Sequence, residues 1–261
     1  MTHRQRRFLL ASTFAAMTTG MAIIVVATVF VGRSASAVGY TVVDLATLDQ
    51  GSPVVFRGPN ALDEAVGGGH VGGDRRGLHL KRGSAEQISG LSGTDFTTVF
   101  GINDVGDVVG SSNTATAVRA FLTTLAGATR ELPPLAGDTG STAFAVNNPG
   151  DAVGFTSGPG GEQAVLWARD GSVTVLPGAA SAQKSRAVGI NERGDVVGSW
   201  DAGLGLHAIL WSKGGGAQDL GTLPGHTTSE AADVNAGGDI VGYSAAATGA
   251  SASAYSIATG A

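Results

Sequence analysis

The chain has 261 residues, of which 42 are glycine, 43% hydrophobic and only 14% charged, and it has no cysteine. That balance excludes coiled coils, disordered chains, disulfide scaffolds, thiolate catalysis and zinc–thiolate sites. The formal net charge of −5 also argues against nucleic acid as a partner, because phosphate binding needs a basic surface that releases counterions.

The first stretch reads as an address and not as part of the fold. Arg4, Arg6 and Arg7 precede an apolar run over residues 8–31, and Ala35, Ser36 and Ala37 follow it. Basic, apolar and small residues in that order make an export signal, so residues 1–37 are expected to be a signal peptide or membrane anchor, with a mature start at Val38. The run of 24 residues is also long enough to span a bilayer if it is retained. The expected location is therefore secreted or extracellular, or anchored to the outer face of the cytoplasmic membrane by residues 8–31, the only segment expected to meet a membrane. Without its four arginines the remainder has 12 Lys and Arg against 21 Asp and Glu, a formal charge of −9.

Beyond this segment the chain repeats. Asn103, Asn147, Asn191 and Asn235 are each 44 residues apart, and the same step relates Gly106, Gly150, Gly194 and Gly238. Asp107, Asp151, Asp195 and Asp239 share the register, as do Gly110, Gly154, Gly198 and Gly242. Asn60 and Gly67 mark a more worn copy 43 residues ahead, and Leu45, Ile88, Leu132, Leu176 and Leu220 form one more column. A period of this size marks stacked supersecondary units. The units fall at residues 53–92, 97–136, 141–180, 185–224 and 229–261, the last completed by 40–46, within one domain spanning 38–261.

Each unit opens with an apolar stretch ending in Asn, then two residues, a glycine, and DVVG, DAVG or DIVG. This predicts a hairpin: Asn caps a type I turn, and the glycine three places later takes the left-handed backbone that closes it. A third strand follows in AFLTT, AVLWA and AILWS, where Trp167 and Trp211 are expected in the core, and a fourth in ATREL, SVTVL and AQDL. Such a unit needs neighbours to cover its apolar faces. Residues 40–45 (YTVVDL) read as a spare fourth strand, and 254–257 (AYSI) as a third strand without a partner. Pairing them would remove two open sheet edges. The expected fold is all-β, a five-bladed β-propeller of 44-residue four-stranded repeats, its ring closed by pairing of the N-terminal and C-terminal strands.

The in-frame pattern of apolar triplet, Asn, two residues, Gly, Asp, Val, Val, Gly, followed by LHAILW (206–211) and QDLGTLPG (218–225), resembles the extracellular HAF-repeat proteins over nearly all of residues 40–257. The resemblance implies a secreted repeat protein without an assigned reaction. The namesake histidine stands as His207, with Arg119 and Gln163 at the equivalent places.

No residue pattern marks a catalytic centre, a metal site or a cofactor. Asn103, Asp107 and their counterparts are turn caps, having too few oxygen donors for a calcium loop. His70, His79, His207 and His226 lack the spacing of zinc ligands, no GxSxG marks a nucleophile, and the glycine runs at 67–73 and 214–216 read as flexible connections. The inner strands offer Arg57 and Asp233 but no paired acids, which disfavours a glycosidase. The variable segments at 111–118, 155–163, 199–206 and 243–253 are expected as loops on one face of a constant frame, the usual setting of a binding surface. Phe155, Trp200 and Tyr243 at that rim, with His207 and Arg119, are the candidate ligand-binding residues. The expected function is a non-enzymatic binding or scaffold module for a glycan or surface protein. The alternatives are a carbohydrate-active hydrolase or lyase with a site in the central channel, and a purely structural envelope protein.

Overall fold

The computed structural model describes residues 55–57, 59–71, 74–81, 84–91, 96–178, 184–201, 203, 205–214, 216–246 and 249–256. The export segment and the expected 40–46 strand lie outside the described residues. Within them every regular element is a strand, and no helix is long and apolar enough to cross a membrane.

The strands form antiparallel meanders in chain order. The first contains β1 (Val55–Arg57), β2 (Glu64–Val71), β3 (Asp74–Lys81) and β4 (Ser84–Ile88), and the second β5 (Thr97–Ile102), β6 (Val108–Asn113), β7 (Val118–Thr123) and β8 (Thr129–Leu132). The third contains β9 (Gly140–Val146), β10 (Ala152–Gly158), β11 (Gly161–Trp167) and β12 (Val173–Val175). The fourth contains β13 (Lys184–Ile190), β14 (Val196–Asp201), β15 (Leu206–Trp211) and β16 (Ala217–Gly221). It touches the third through a parallel pairing of Glu162 with Lys184. The last has three strands, β17 (Thr228–Val234), β18 (Asp239–Ala246) and β19 (Gly249–Ser256).

The paired valines explain how these units stack. Side chains alternate along a strand, so Val108 packs toward the first unit with Val66 and Val99, while Val109 packs toward the third with Ala143 and Trp167. Ala152 and Val153 divide in the same way, as do Val196 and Val197. The core is thus a series of sheet-on-sheet interfaces, each shared by two consecutive units. Trp167 and Trp211 are buried there, and their indole N–H groups donate to the carbonyls of Pro133 and Pro177 at 2.7 and 2.9 Å.

The two glycine columns have different causes. Gly106, Gly150, Gly194 and Gly238 have φ between +86° and +93°, as the turn requires. Gly110, Gly154, Gly198 and Gly242 face a β-bulge, where the inner strand carries one extra residue at Phe100, Phe144, Val188 and Ala232. A Cβ at Gly154 would overlap the carbonyl oxygen of Thr142, and the other three glycines meet the same obstacle.

Polar groups fasten the units at both ends of the inner strands. The Asn side-chain oxygen caps its own turn, as where Asn103 Oδ1 accepts from Asp107 N at 2.7 Å. Its Nδ2 reaches the next unit: Asn60 donates to Asn103 O at 2.9 Å, Asn103 to Asn147 O at 2.9 Å, Asn147 to Asn191 O at 3.3 Å, and Asn191 to Asn235 O at 3.1 Å. At the strand's other end, buried Ser141 accepts from Ala120 N at 2.9 Å and donates to Leu132 O at 3.0 Å. Ser229 repeats both bonds on Ala208 and Gly221. These links satisfy backbone groups that the interfaces would otherwise bury unpaired.

Two expectations about loops are corrected. The run Gly67–Val71 is strand, because its backbone pairs residue by residue with β3 despite the missing side chains. Likewise Phe155 and Tyr243 are mid-strand, since the pairing of each strand continues three residues beyond them.

Candidate binding rim

The candidate aromatic residues do not gather as a trio. Phe155 and Tyr243 occupy one column, and Phe155 faces the following unit, whereas Trp200 stands one residue further along and therefore points the opposite way. Trp200 packs against the interface of the third and fourth units, beside Gly178, and serves that core. Arg119 and His207 are also apart, in the second and fourth units. Each is spent on its own sheet, Arg119 Nε on Glu131 at 3.1 Å and His207 Nδ1 on Asp219 at 2.9 Å.

What Phe155 does meet is a strip across the inner strands. Phe100 and Phe144, the bulge residues of β5 and β9, pack edge to face with centroids 5.1 Å apart, and Phe144 lies 5.8 Å from Phe155. The guanidinium of Arg186 in β13 sits 4.8 Å from the Phe155 ring centre, a cation–π contact. Arg186 also grips Glu162 of β11 with two hydrogen bonds of 2.6 Å, and Lys184 stands 3.6 Å from the same carboxylate. Glu230 accepts the Tyr243 hydroxyl at 2.5 Å.

Charge within the strip is tightly coupled. The Arg186 hydrogen bonds hold the Glu162 carboxyl below the usual range against the opposing effect of burial, with Lys184 adding to them. Glu162 in turn raises Arg186, helped by the charge of Glu230. Tyr243 is pushed up to about 12, chiefly by its hydrogen bond to Glu230. Because the folded pKa of Glu162 lies below its unfolded value, the pair stabilises at neutral pH and loses that contribution as pH falls through the folded value. The melting-temperature gap between the native chain and Glu162→Gln should therefore be full near pH 7 and shrink only as pH falls below the ordinary Glu value of about 4.3. A gap that stayed constant into acid would contradict the pairing.

Neither Arg186 nor Glu162 was singled out from the sequence, yet a signal was present. Reading down the repeat columns, Thr98, Thr142, Arg186 and Glu230 share one place, as do Ser111, Phe155, Ser199 and Tyr243. Residues that break an otherwise small and neutral column mark where something has been added to the frame.

No family model matches the sequence, and no curated protein matches it. Among solved structures, TolB from Acinetobacter baumannii matches with a TM-score of 0.51 at 12% identity over 77% of this chain and 54% of that one. This chain thus spans about half the length of TolB. A selenomethionine-substituted virginiamycin B lyase from Staphylococcus aureus matches with a TM-score of 0.45 at 13% identity, covering 79% of this chain and 71% of that chain. Both are β-propellers, and the likeness to TolB assigns this chain a β-propeller-like repeat fold.

Proposed function

We propose that the chain is an exported, HAF-type, non-enzymatic binding module, built as a five-bladed propeller, that takes a glycan or a surface protein on the strip centred on Arg186. The supporting observation is the concentration of Phe155, Arg186, Lys184, Glu162 and Glu230 on adjoining units, where other copies mostly carry small or apolar residues. Aromatic faces beside fixed donors and acceptors suit recognition of sugar rings or of protein side chains.

Ring closure is part of this reading. Val66, Val109, Val153 and Val197 are each 0% exposed because a following unit covers them, whereas Val241 in the same column is 45% exposed. Among the described residues the last sheet has three strands, and the Asn235 amide donates to Asp239 within its own turn. Residues 40–46 would supply a fourth strand, and the first unit would cover Val241 and Tyr243. Covering one valine contributes about 1.5 kcal/mol.

The test is a screen of glycans and cell-surface proteins against the exported chain, with Arg186→Ala and His207→Ala alongside. Binding is expected for the native chain and for His207→Ala but lost in Arg186→Ala. A ligand held equally well by Arg186→Ala would refute the strip.

One observation favours a second reading, a channel enzyme. Asp233 on the inner strand β17 has an exposed side chain, yet desolvation raises its pKa against the hydrogen bond from Val234 N. Turnover of any polysaccharide that ceased in Asp233→Asn would support it.

A further inference from the structure

The first two units border a half-open cavity of about 250 Å³ at the end of the inner strands that carries the Asn turns, lined by His79, Lys81, Glu86, Gln87, Ile88 and Leu125 among others. The repeat shows how this cavity was made polar. Val66 pairs with His79 across the hairpin, whereas the equivalent valines Val109, Val153 and Val197 pair with Leu122, Leu166 and Leu210. By the same register Lys81 replaces Thr124, Ala168 and Ser212.

Behind His79 lies Glu64, a buried carboxylate occupying the column of the turn aspartates. It is 3.3 Å from His79 Nε2 and 3.4 Å from Lys81 Nζ, and Asn60 donates to it at 3.3 Å. Burial alone would raise its pKa, but Asn60, His79 and Lys81 together keep it low and charged. The 3.3 Å approach to Glu64 does not make a hydrogen bond, so buried His79 Nε2 has no hydrogen-bond partner among the described residues. A histidine so placed is costly for stability compared with the leucine of the other units.

We propose that this cavity binds a neutral, polyhydroxylated molecule of single-ring size, such as the terminal sugar of a glycan. Its volume falls below the roughly 300–1,000 Å³ of sites for drug-sized ligands, so the occupant is small. Lys81 is already balanced by Glu64, which removes the reason to hold an anion. His79, Gln87 and Glu86 offer both donors and acceptors, while Ile88 and Leu125 provide apolar surface for ring C–H groups. The site is separate from the Arg186 strip and does not depend on it.

Saturation-transfer NMR on the full chain with glucose, galactose, mannose and N-acetylglucosamine tests this directly. At least one sugar should show transfer to its ring protons, and the signal should vanish in His79→Leu, a change the other units already accommodate. Lys81→Thr, which installs the residue of the second unit, should weaken the signal too and serves if His79→Leu fails to fold. Arg186→Ala should leave it intact. Absence of transfer from all four sugars, or transfer unchanged in both cavity variants, would overturn the proposal.

Discussion

Gly154→Ala is expected to destabilise the protein by about 3 kcal/mol, although the change adds a single methyl group. The reason is not backbone freedom, since this glycine is not among those with positive φ. Its Cβ would occupy the space of the Thr142 carbonyl, which the β-bulge at Phe144 pushes toward β10. Relief requires the inner strand to move, and that strand is packed against the neighbouring units. A fall in Tm of about 6–12 °C should result for a chain of this size. Gly216→Ala is the control: nothing lies within 4 Å of its would-be Cβ, so a change within about 0.5 kcal/mol is expected. Equal melting temperatures for the two variants would mean that the bulge does not constrain the column.

Asn147→Ala should cost about 2–3 kcal/mol through a different mechanism. Asn147 is 2% exposed, accepts from Asp151 N at 2.9 Å and donates to Asn191 O at 3.3 Å. Alanine removes both bonds and strands a carbonyl at the interface between the third and fourth units. Differential scanning calorimetry should show a Tm lowered by about 5–10 °C. A substitution at the partly exposed neighbour, Asn148→Ala, which loses only solvent-facing hydrogen bonds with Asp104, should shift it far less. If the two variants melted together, the asparagines would be caps of isolated turns and not clasps between units.

The hairpins were legible in the sequence because local chemistry sets them: Asn at the first turn position, glycine with positive φ three places later, and alternating apolar residues in the strands. The assignment of Trp167 and Trp211 to the core followed from their mid-strand position, and both are buried. Links between units were not legible. Nothing local tells that Asn147 reaches Asn191, or that Ser141 joins β9 to the preceding β7 and β8, because those partners are fixed only when the sheets stack. The same limit affected the rim. Phe155 and Trp200 look adjacent when loops are compared by position, but a shift of one residue in a strand sends them to opposite faces. Arg186, at the heart of the strip, lay in a stretch that reads as ordinary inner strand, and only comparison down the columns sets it apart.

Closure of the ring is the claim on which the architecture rests, and the absence of native cysteine makes it directly measurable. Val42 precedes Leu45 as Thr129 precedes Leu132, and Tyr255 pairs with Ile240 as Thr123 pairs with Val108. The Thr123 and Thr129 hydroxyl oxygens are 2.9 Å apart. Cysteines at positions 42 and 255 should accordingly form an intramolecular disulfide under mild oxidation, seen by mass spectrometry as the loss of both free thiols in a monomer. Thiols that stay free, or that join only between chains, would contradict a ring completed by the protein's own N-terminal strand.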